Sequence, residues 1–391
     1  MNEDIKVPFF KASIGKEEEE AVIRVLRSGW LTTSKETALF EKEFAEKINA
    51  PYALAVNSNT SGMILAMEAC GVKPGTKVIT TPYTFVSTAA AARHLGAEVL
   101  FADIEEETYS ISPESIRKIL SGKDGENVVA IVPVHIAGNV CNMEEINKIA
   151  REYKLKVIED CAHSFPSETK NGFAGTLGDA GVFSFYATKA ITTAEGGMVT
   201  TKDKNLAQRM SVMRLHGMDR TVWERYTQEK ASWEYDIIEN GYKFNLPDVL
   251  SAIGRAQLQK ADIFDRKRKL HAAKYNNAFK DLDFVILPPD SEGNSWHLYL
   301  LRLDLEKLKC TRNEFAKELQ NRNIGISMHF IPLFHFTEWK KHNPSFNAQN
   351  FPNAELKYQQ TISLPLWPDM TEEMTDKVID AVKEIGEKFH E

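Results

Sequence analysis

Leu155-Lys156-Val157-Ile158-Glu159-Asp160-Cys161-Ala162-His163 sets a short, β-branched apolar run directly before two acids and a histidine. The run Leu155 to Glu159 is too short for a helix and nearly continuous in its apolar character, as a strand covered on both faces should be. Six more such runs accompany it: Ala53 to Val56, Lys77 to Thr80, Glu98 to Ala102, Val128 to Val132, Val182 to Tyr186 and Met198 to Thr201. Between them lie helix-like stretches, among them Thr60 to Cys70, stopped by Gly71, and Phe85 to His94, with Gly96 just beyond. Strand and helix alternate through the first two thirds of the chain, which predicts an α/β fold, a mostly parallel sheet with helices on both faces. Ligands bind such sheets at the carboxyl ends of the strands, so the functional residues are sought just after each strand.

Upstream, Lys16 to Arg27 reads as a helix with acids in its first turn and a stop at Gly29, and the Glu17 to Glu20 run as its solvated start. After Pro247 the pattern changes. A long amphipathic helix begins near Asp248 and runs into Asp265-Arg266-Lys267-Arg268-Lys269, read as a solvated face. An apolar alternation from His297 to Leu303, a helix Arg312 to Asn321, a strand around Ile324 to Phe330 and a closing helix Thr371 to Phe389 follow. They predict a smaller C-terminal α+β domain. The boundary is placed near 250, giving a large domain over 1–250 and a small one over 251–391, with no flexible linker, repeat or low-complexity segment between.

Composition narrows the function classes. At 391 residues, with 43% hydrophobic and 26% charged residues, the chain has ordinary globular usage and room for two or three domains. The net charge of −7, from 48 basic and 55 acidic residues interspersed along the chain, argues against nucleic acid as a partner. The start lacks a secretory pattern and no 18-residue apolar run occurs, so a soluble cytoplasmic protein with no membrane partner is expected. Cys70, Cys141, Cys161 and Cys310 are scattered without a C-x-x-C pair, so no metal site is expected and each is read as a small buried apolar side chain.

The acid after the central strand, Asp160, is open to three readings: a metal ligand, a helix N-cap, or the partner of a cationic heterocycle. About 30 residues on, the run Val182 to Tyr186 is followed by Ala187-Thr188-Lys189 and then by Ala194-Glu195-Gly196-Gly197. A lysine between a buried strand and a small-residue stretch is poorly placed for solvent, and a dry amine has a lowered pKa and can condense with a carbonyl. Ser58-Asn59-Thr60-Ser61-Gly62 stands between a strand and a helix, where hydroxyls and backbone N–H groups make either an anion site or an ordinary cap. Neither a GxGxxG turn nor a GxxxxGK[ST] loop occurs, which removes the main support for a nicotinamide or nucleoside triphosphate enzyme. A phosphate cradle, an acid, a lysine and the aromatic Phe85 together suit pyridoxal phosphate.

Eight segments then carry a family resemblance. They are Ser28-Gly29-Trp30-Leu31-Thr32-Thr33, Thr84-Phe85-Val86-Ser87-Thr88, Val132-Pro133-Val134-His135, Glu159-Asp160-Cys161-Ala162-His163, Phe183-Ser184-Phe185 with Lys189, Ala194-Glu195-Gly196-Gly197, Gly241-Tyr242-Lys243-Phe244-Asn245 and Ser363-Leu364-Pro365-Leu366. Over nearly its whole length the chain resembles the DegT/DnrJ/EryC1/StrS sugar aminotransferases, fold-type-I pyridoxal phosphate enzymes that aminate nucleotide-linked keto-sugars. The branch it looks most like acts on C4 of UDP-4-keto sugars in surface polysaccharide or lipid A sugar biosynthesis, with glutamate as donor.

The resemblance implies that Lys189 carries the covalent link to the cofactor, that Asp160 pairs with the ring nitrogen, that His163 lies beside the ring and that Phe85 stacks on it. It implies that Thr60, Ser61 and Ser184 hold the phosphate and that Asn245 reaches the cofactor phosphate of the neighbouring subunit in a homodimer. Trp30, Thr32, Thr33, Ser58, His329 and Phe330 match regions that touch the nucleotide-sugar. Three positions depart from the pattern: Tyr186 where relatives commonly have His, Asn59 where Gly or Ala is usual, and Phe165-Pro166-Ser167 where a small residue is usual. They are expected to bear on substrate shape more than on reaction type. Amination at C3, for which many relatives carry Arg where Asn245 stands, and a cofactor-binding regulatory protein are the alternatives. Lys189 argues against a dehydratase branch that replaces the lysine with His.

Overall fold

The computed structural model describes residues 5–219, 235–342 and 346–390. In chain order the elements of the first part are α1 (Lys16–Ser28), α2 (Lys35–Lys47), β1 (Tyr52–Val56), α3 (Asn59–Ala69), β2 (Lys77–Thr80), α4 (Val86–His94), β3 (Glu98–Phe101), α5 (Pro113–Ser121), β4 (Val128–Ile131), α6 (Met143–Tyr153), β5 (Lys156–Asp160), a small hairpin of β6 (Glu168–Thr169) and β7 (Gly172–Phe173), β8 (Ala180–Ser184), β9 (Gly197–Thr201) and α7 (Lys204–Met213). Seven strands form one sheet in the order β1-β9-β8-β5-β4-β2-β3. The pairs from β8 through β5, β4 and β2 to β3 are parallel, and β9 runs antiparallel to both β8 and β1.

Alternate residues of each strand enter different cores, which is why the strands read as continuous apolar runs rather than alternating ones. Val78, Ile158, Val182 and Val199 pack with Met63 and Leu65 of α3, Ala91 and Ala92 of α4 and Met210 of α7. On the other face Ile79, Ile131 and Val157 meet Ile116 of α5 and Ile146 and Ile149 of α6. Phe183 and Met198 lie there with Phe40 and Phe44 of α2. The strand expected at Val182 to Tyr186 is β8, which begins two residues earlier and ends at Ser184, so Tyr186 lies beyond it and is exposed.

The second part begins with α8 (Asp248–Phe279), followed by β10 (Val285–Ile286), β11 (Tyr299–Leu303), α9 (Arg312–Asn321), α10 (Thr337–His342), α11 (Pro352–Gln360), β12 (Thr361–Leu364) and α12 (Glu372–Phe389). At 32 residues α8 is about 48 Å long and ties the two regions together. Its first residue, Asp248, caps α2 by accepting from Ser34 N–H at 2.7 Å and Thr37 N–H at 3.0 Å. Its far end puts Tyr275 and Phe279 into a core with Tyr299, Leu301, Phe315 and Val382. Val7, ahead of α1, joins the same core and pairs with Ile324.

Three expectations are corrected here. Residues Ile324 to Phe330 form no strand: the backbone of the segment pairs with other segments at single bridges, Val7 with Ile324 and Ser327 with Ser363, rather than in a ladder, and the third strand of the small antiparallel sheet is β12. The basic run on α8 is not wholly solvated, because Arg268 is buried and donates to the carbonyls of His297 at 3.2 Å and Leu366 at 2.8 Å. Nor is the acidic start of α1, where buried Glu18 accepts from Gly15 N–H and Gln257 Nε2, each at 2.8 Å, and pairs with Lys260.

Candidate active site

Two glycines set the floor of the site. A Cβ on Gly62 of α3 would lie 2.6 Å from Val182 Cγ1, and one on Gly197 of β9 would lie 2.9 Å from the Asn59 backbone nitrogen. Without side chains at these points, the start of α3 rests directly on β8 and β9. Ser58 caps the helix, its Oγ accepting from Ser61 N–H at 3.1 Å and lying 2.8 Å from Ser61 Oγ. Ser184 ends β8 opposite Gly197. Thr60, Ser61 and Ser184 thus follow or close the carboxyl ends of β1 and β8, where the N–H groups of the helix start and its dipole favour an anion.

Asp160 closes β5 and is buried on the α3 and α4 side. Its Oδ1 accepts from Ala162 N–H at 3.1 Å and from Asn59 Nδ2 at 3.3 Å, while its Oδ2 accepts from Thr88 Oγ1 at 2.7 Å. Asn59 also donates to the Val182 carbonyl at 3.0 Å. A carboxylate has about four acceptor positions, and only three donors occupy this one. Asn59, one of the three positions that depart from the family pattern, touches the acid. Neither Asn59 nor Thr88 was assigned a part in the site from the sequence.

Beside Asp160, Glu159 points to the opposite face. Its Oε1 accepts from Leu177 N–H at 2.8 Å and Gly178 N–H at 2.7 Å, and its Oε2 from Gly175 N–H at 2.9 Å, with His135 Nε2 also 2.9 Å away. His135, Glu159 and Cys161 are the one grouping among the described residues with metal-ligand spacing, but all are buried and the glutamate's capacity is taken by these partners.

Lys189 follows β8 by five residues, its backbone N–H bonded to the Tyr186 carbonyl at 2.9 Å. Burial pushes its amine down to about 8, while the charge of Asp160 acts in the opposite direction. The amine lines a cavity of about 60 Å³ with Phe9, Phe10, His163, His297 and His329. Burial, with Lys189 nearby, holds His163 well below the usual imidazole range and brings His329 down to about 4. His297 is lowered in the same way, by burial first and then by His163 and Lys189. At neutral pH the amine therefore faces three uncharged rings. His297 and the N-terminal pair Phe9 and Phe10 carried no sequence signal for this place; they arrive from distant segments.

An aromatic chain continues from there. Phe330 stacks on His163 with centroids 5.4 Å apart, and Phe85 lies 6.5 Å from Phe330. Phe85 is the N-cap residue of α4 and is 61% exposed, presenting a ring at the cleft rather than in a core. His329 stacks on Phe9 and has Nδ1 2.8 Å from Ser363 Oγ. The remaining expected residues form a second group. Asn245 pairs through its backbone with Val56, donates from Nδ2 to Thr33 Oγ1 at 2.6 Å and takes the amine of Lys243 on its carbonyl oxygen. Trp30 and Thr32 belong to the same stretch as Thr33, half-buried and exposed respectively.

A lysine after one strand and an acid at the end of its parallel neighbour, on this mixed seven-stranded sheet, define the fold-type-I pyridoxal phosphate transferase class. The chain belongs to the DegT/DnrJ/EryC1/StrS aminotransferase family, whose model matches residues 12–383. It is 41% identical over 382 residues, 97% of each chain, to the spore coat polysaccharide biosynthesis protein SpsC of Bacillus subtilis. PseC of Helicobacter pylori, an aminotransferase involved in the biosynthesis of pseudoaminic acid, superposes with a TM-score of 0.90 at 29% identity, covering 98% of this chain and 100% of that one. Spr1654 of Streptococcus pneumoniae in its PMP form gives 0.90 at 28% identity, with 98% and 99% covered.

Proposed function

We propose that the protein is a pyridoxal phosphate-dependent aminotransferase that moves an amino group from glutamate to C4 of a nucleotide-linked, UDP-type 4-keto sugar in polysaccharide biosynthesis. The observation that carries the reading is the pairing of Lys189, an amine brought down to about 8, with the part-occupied carboxylate of Asp160. The residues present fit the cofactor: an anion cradle at the start of α3, a carboxylate with one acceptor position open, and a buried amine in a cavity lined by phenylalanines and uncharged histidines. Pyridoxal 5′-phosphate, when bound, supplies an aldehyde that takes up the amino group and a cationic ring that draws in electron density.

Thr60, Ser61 and Ser184 hold the phosphate end, and Asp160 holds the proton on the ring nitrogen. His163 and Phe85 cover the ring. Lys189 Nζ, close to half neutral near pH 8, would serve as the base that takes the proton from the donor's α-carbon and carries it. The histidines, lowered by burial, are weaker bases than that amine, which leaves Lys189 as the group for the transfer.

The cleft segments Trp30, Thr32, Thr33 and Ser58, with His329 and Phe330, bind the nucleotide-sugar. Amination at C4 is favoured by the likeness of Trp30-Leu31-Thr32-Thr33 to the 4-amino branch and by a neutral amide at Asn245 in place of an arginine. Incubation with glutamate and a panel of UDP- and dTDP-keto sugars, with products identified by mass and NMR, tests this. Nitrogen on C4 of a UDP-sugar is expected; nitrogen on C3 would move the enzyme to the sister branch.

The same reading gives a cytoplasmic homodimer in which Asn245 serves the neighbouring subunit's cofactor. Mixing Lys189→Ala with an impaired Asn245 variant should then restore activity in heterodimers. An unrescued mixture with proven subunit exchange would make each site complete in one chain.

A further inference from the structure

Asp160 is held by two side chains, Asn59 of α3 and Thr88 of α4, and by the backbone N–H of Ala162. Asn59 is buried as the first residue of α3. Its Nδ2 is shared between Asp160 Oδ1, at 3.3 Å, and the Val182 carbonyl of β8, at 3.0 Å. The amide thus ties the acid at the end of β5 to the neighbouring strand. The Ala162 N–H is the second donor to Oδ1, whereas Oδ2 has Thr88 alone. Each carboxylate oxygen takes about two donors, so Oδ1 is saturated and the open position is on Oδ2.

We propose that Asn59 is a positioning residue that saturates Asp160 Oδ1, fixes the rotation of the carboxylate and thereby selects Oδ2 as the oxygen that accepts from the cofactor's ring nitrogen. The inference rests on the reading that Asp160 is the ring's partner. Without the Asn59 amide, Oδ1 has one donor and Oδ2 one, the two oxygens become equivalent in capacity, and the carboxylate turns more readily about its Cβ–Cγ bond, held by two donors instead of three. A partner that turns is a poorer acceptor, because the bond to the ring nitrogen is charge-assisted and directional. The ring nitrogen then gives up its proton more easily. Thr88 keeps its contact, so the effect is partial rather than complete.

The test uses holoenzyme reconstituted with cofactor carrying ¹⁵N in its ring, and follows the ring-nitrogen resonance against pH in the wild type, Asn59→Ala, Asn59→Leu and Asp160→Asn. Alanine removes the amide and its volume; leucine removes the donor while keeping the volume. Both Asn59 variants should lose the ring proton at a pH lower by roughly one unit than the wild type, the scale of a weakened charge-assisted bond. Asp160→Asn should lose it lower still. A shift in alanine but not in leucine would mean that Asn59 acts only by filling space, and no shift in either would overturn the proposal while Asp160→Asn still responds. If Asp160→Asn leaves the titration unmoved, the underlying assignment of Asp160 falls instead. Thermal unfolding of the same variants separates a general loss of stability, which lowers the midpoint without moving the ring titration.

Discussion

Glu159 and Asp160 are neighbours on one strand, yet they meet opposite fates on the two faces of the sheet. Glu159 turns toward the α5 and α6 side and is surrounded by three backbone N–H groups of residues 175–178 and by His135. Asp160 turns toward α3 and α4 and meets three donors, one short of its capacity. A saturated buried carboxylate can only hold structure, since no further donor can reach it without breaking a bond already made. An unsaturated one beside a low-pKa lysine is poised to take a partner. Residual capacity, not burial, is what separates the acid proposed for the cofactor from its neighbour.

Substitutions along this strand and its neighbours should separate the two roles. The largest effect is expected at the amine. Lys189→Ala should reduce transamination to background with folding retained, and in cofactor-free wild type the reactivity of this amine toward an acylating reagent should rise about tenfold per pH unit up to its pKa of about 8 and then level off. A rise continuing to pH 10, as for a solvated lysine, would remove the dry-site argument. Asp160→Asn comes next: turnover should fall by about 10²–10³-fold with an unfolding midpoint near that of the wild type. A modest stability loss with full activity would return Asp160 to the role of a cap.

Across the strand the pattern should invert. Glu159→Ala strands three N–H groups and His135 in a buried site, and should cost about 3–5 kcal/mol in denaturant unfolding. The surviving folded fraction should still load cofactor with an unchanged ring-nitrogen titration. A shifted titration would mean that the two carboxylates are coupled through the strand. The smallest effect belongs to Ser58→Ala, where loss of the N-cap of α3 should cost about 0.5–2 kcal/mol and weaken cofactor binding only through fraying of the helix start; unaltered stability would show the cap to be idle.

Much of this architecture is legible in the chain because it is local. β5 and β8 announce themselves as short apolar runs, with Asp160 closing the one and Lys189 five residues past the other. The contacts that distinguish Asp160 from Glu159 are not local. Asn59 reaches Asp160 from 101 residues away and Thr88 from 72, so no spacing rule reveals them. Ile324 to Phe330 misleads for the opposite reason. It has the apolar pattern of a strand, but its backbone pairs only at single bridges with Val7 and Ser363, and it ends by delivering His329 and Phe330 to the cleft. Arg268 sits in a run of charge that looks solvated, and is buried because two carbonyls of the C-terminal region take its guanidinium.

Everything above turns on whether Lys189 is the residue that holds the cofactor. Borohydride reduction of the yellow holoenzyme, followed by proteolysis and mass spectrometry, reads this directly. The account predicts a single pyridoxyl modification on the peptide containing Lys189, absent in Lys189→Ala. Modification of a different lysine, or persistence of the label in Lys189→Ala, would contradict it.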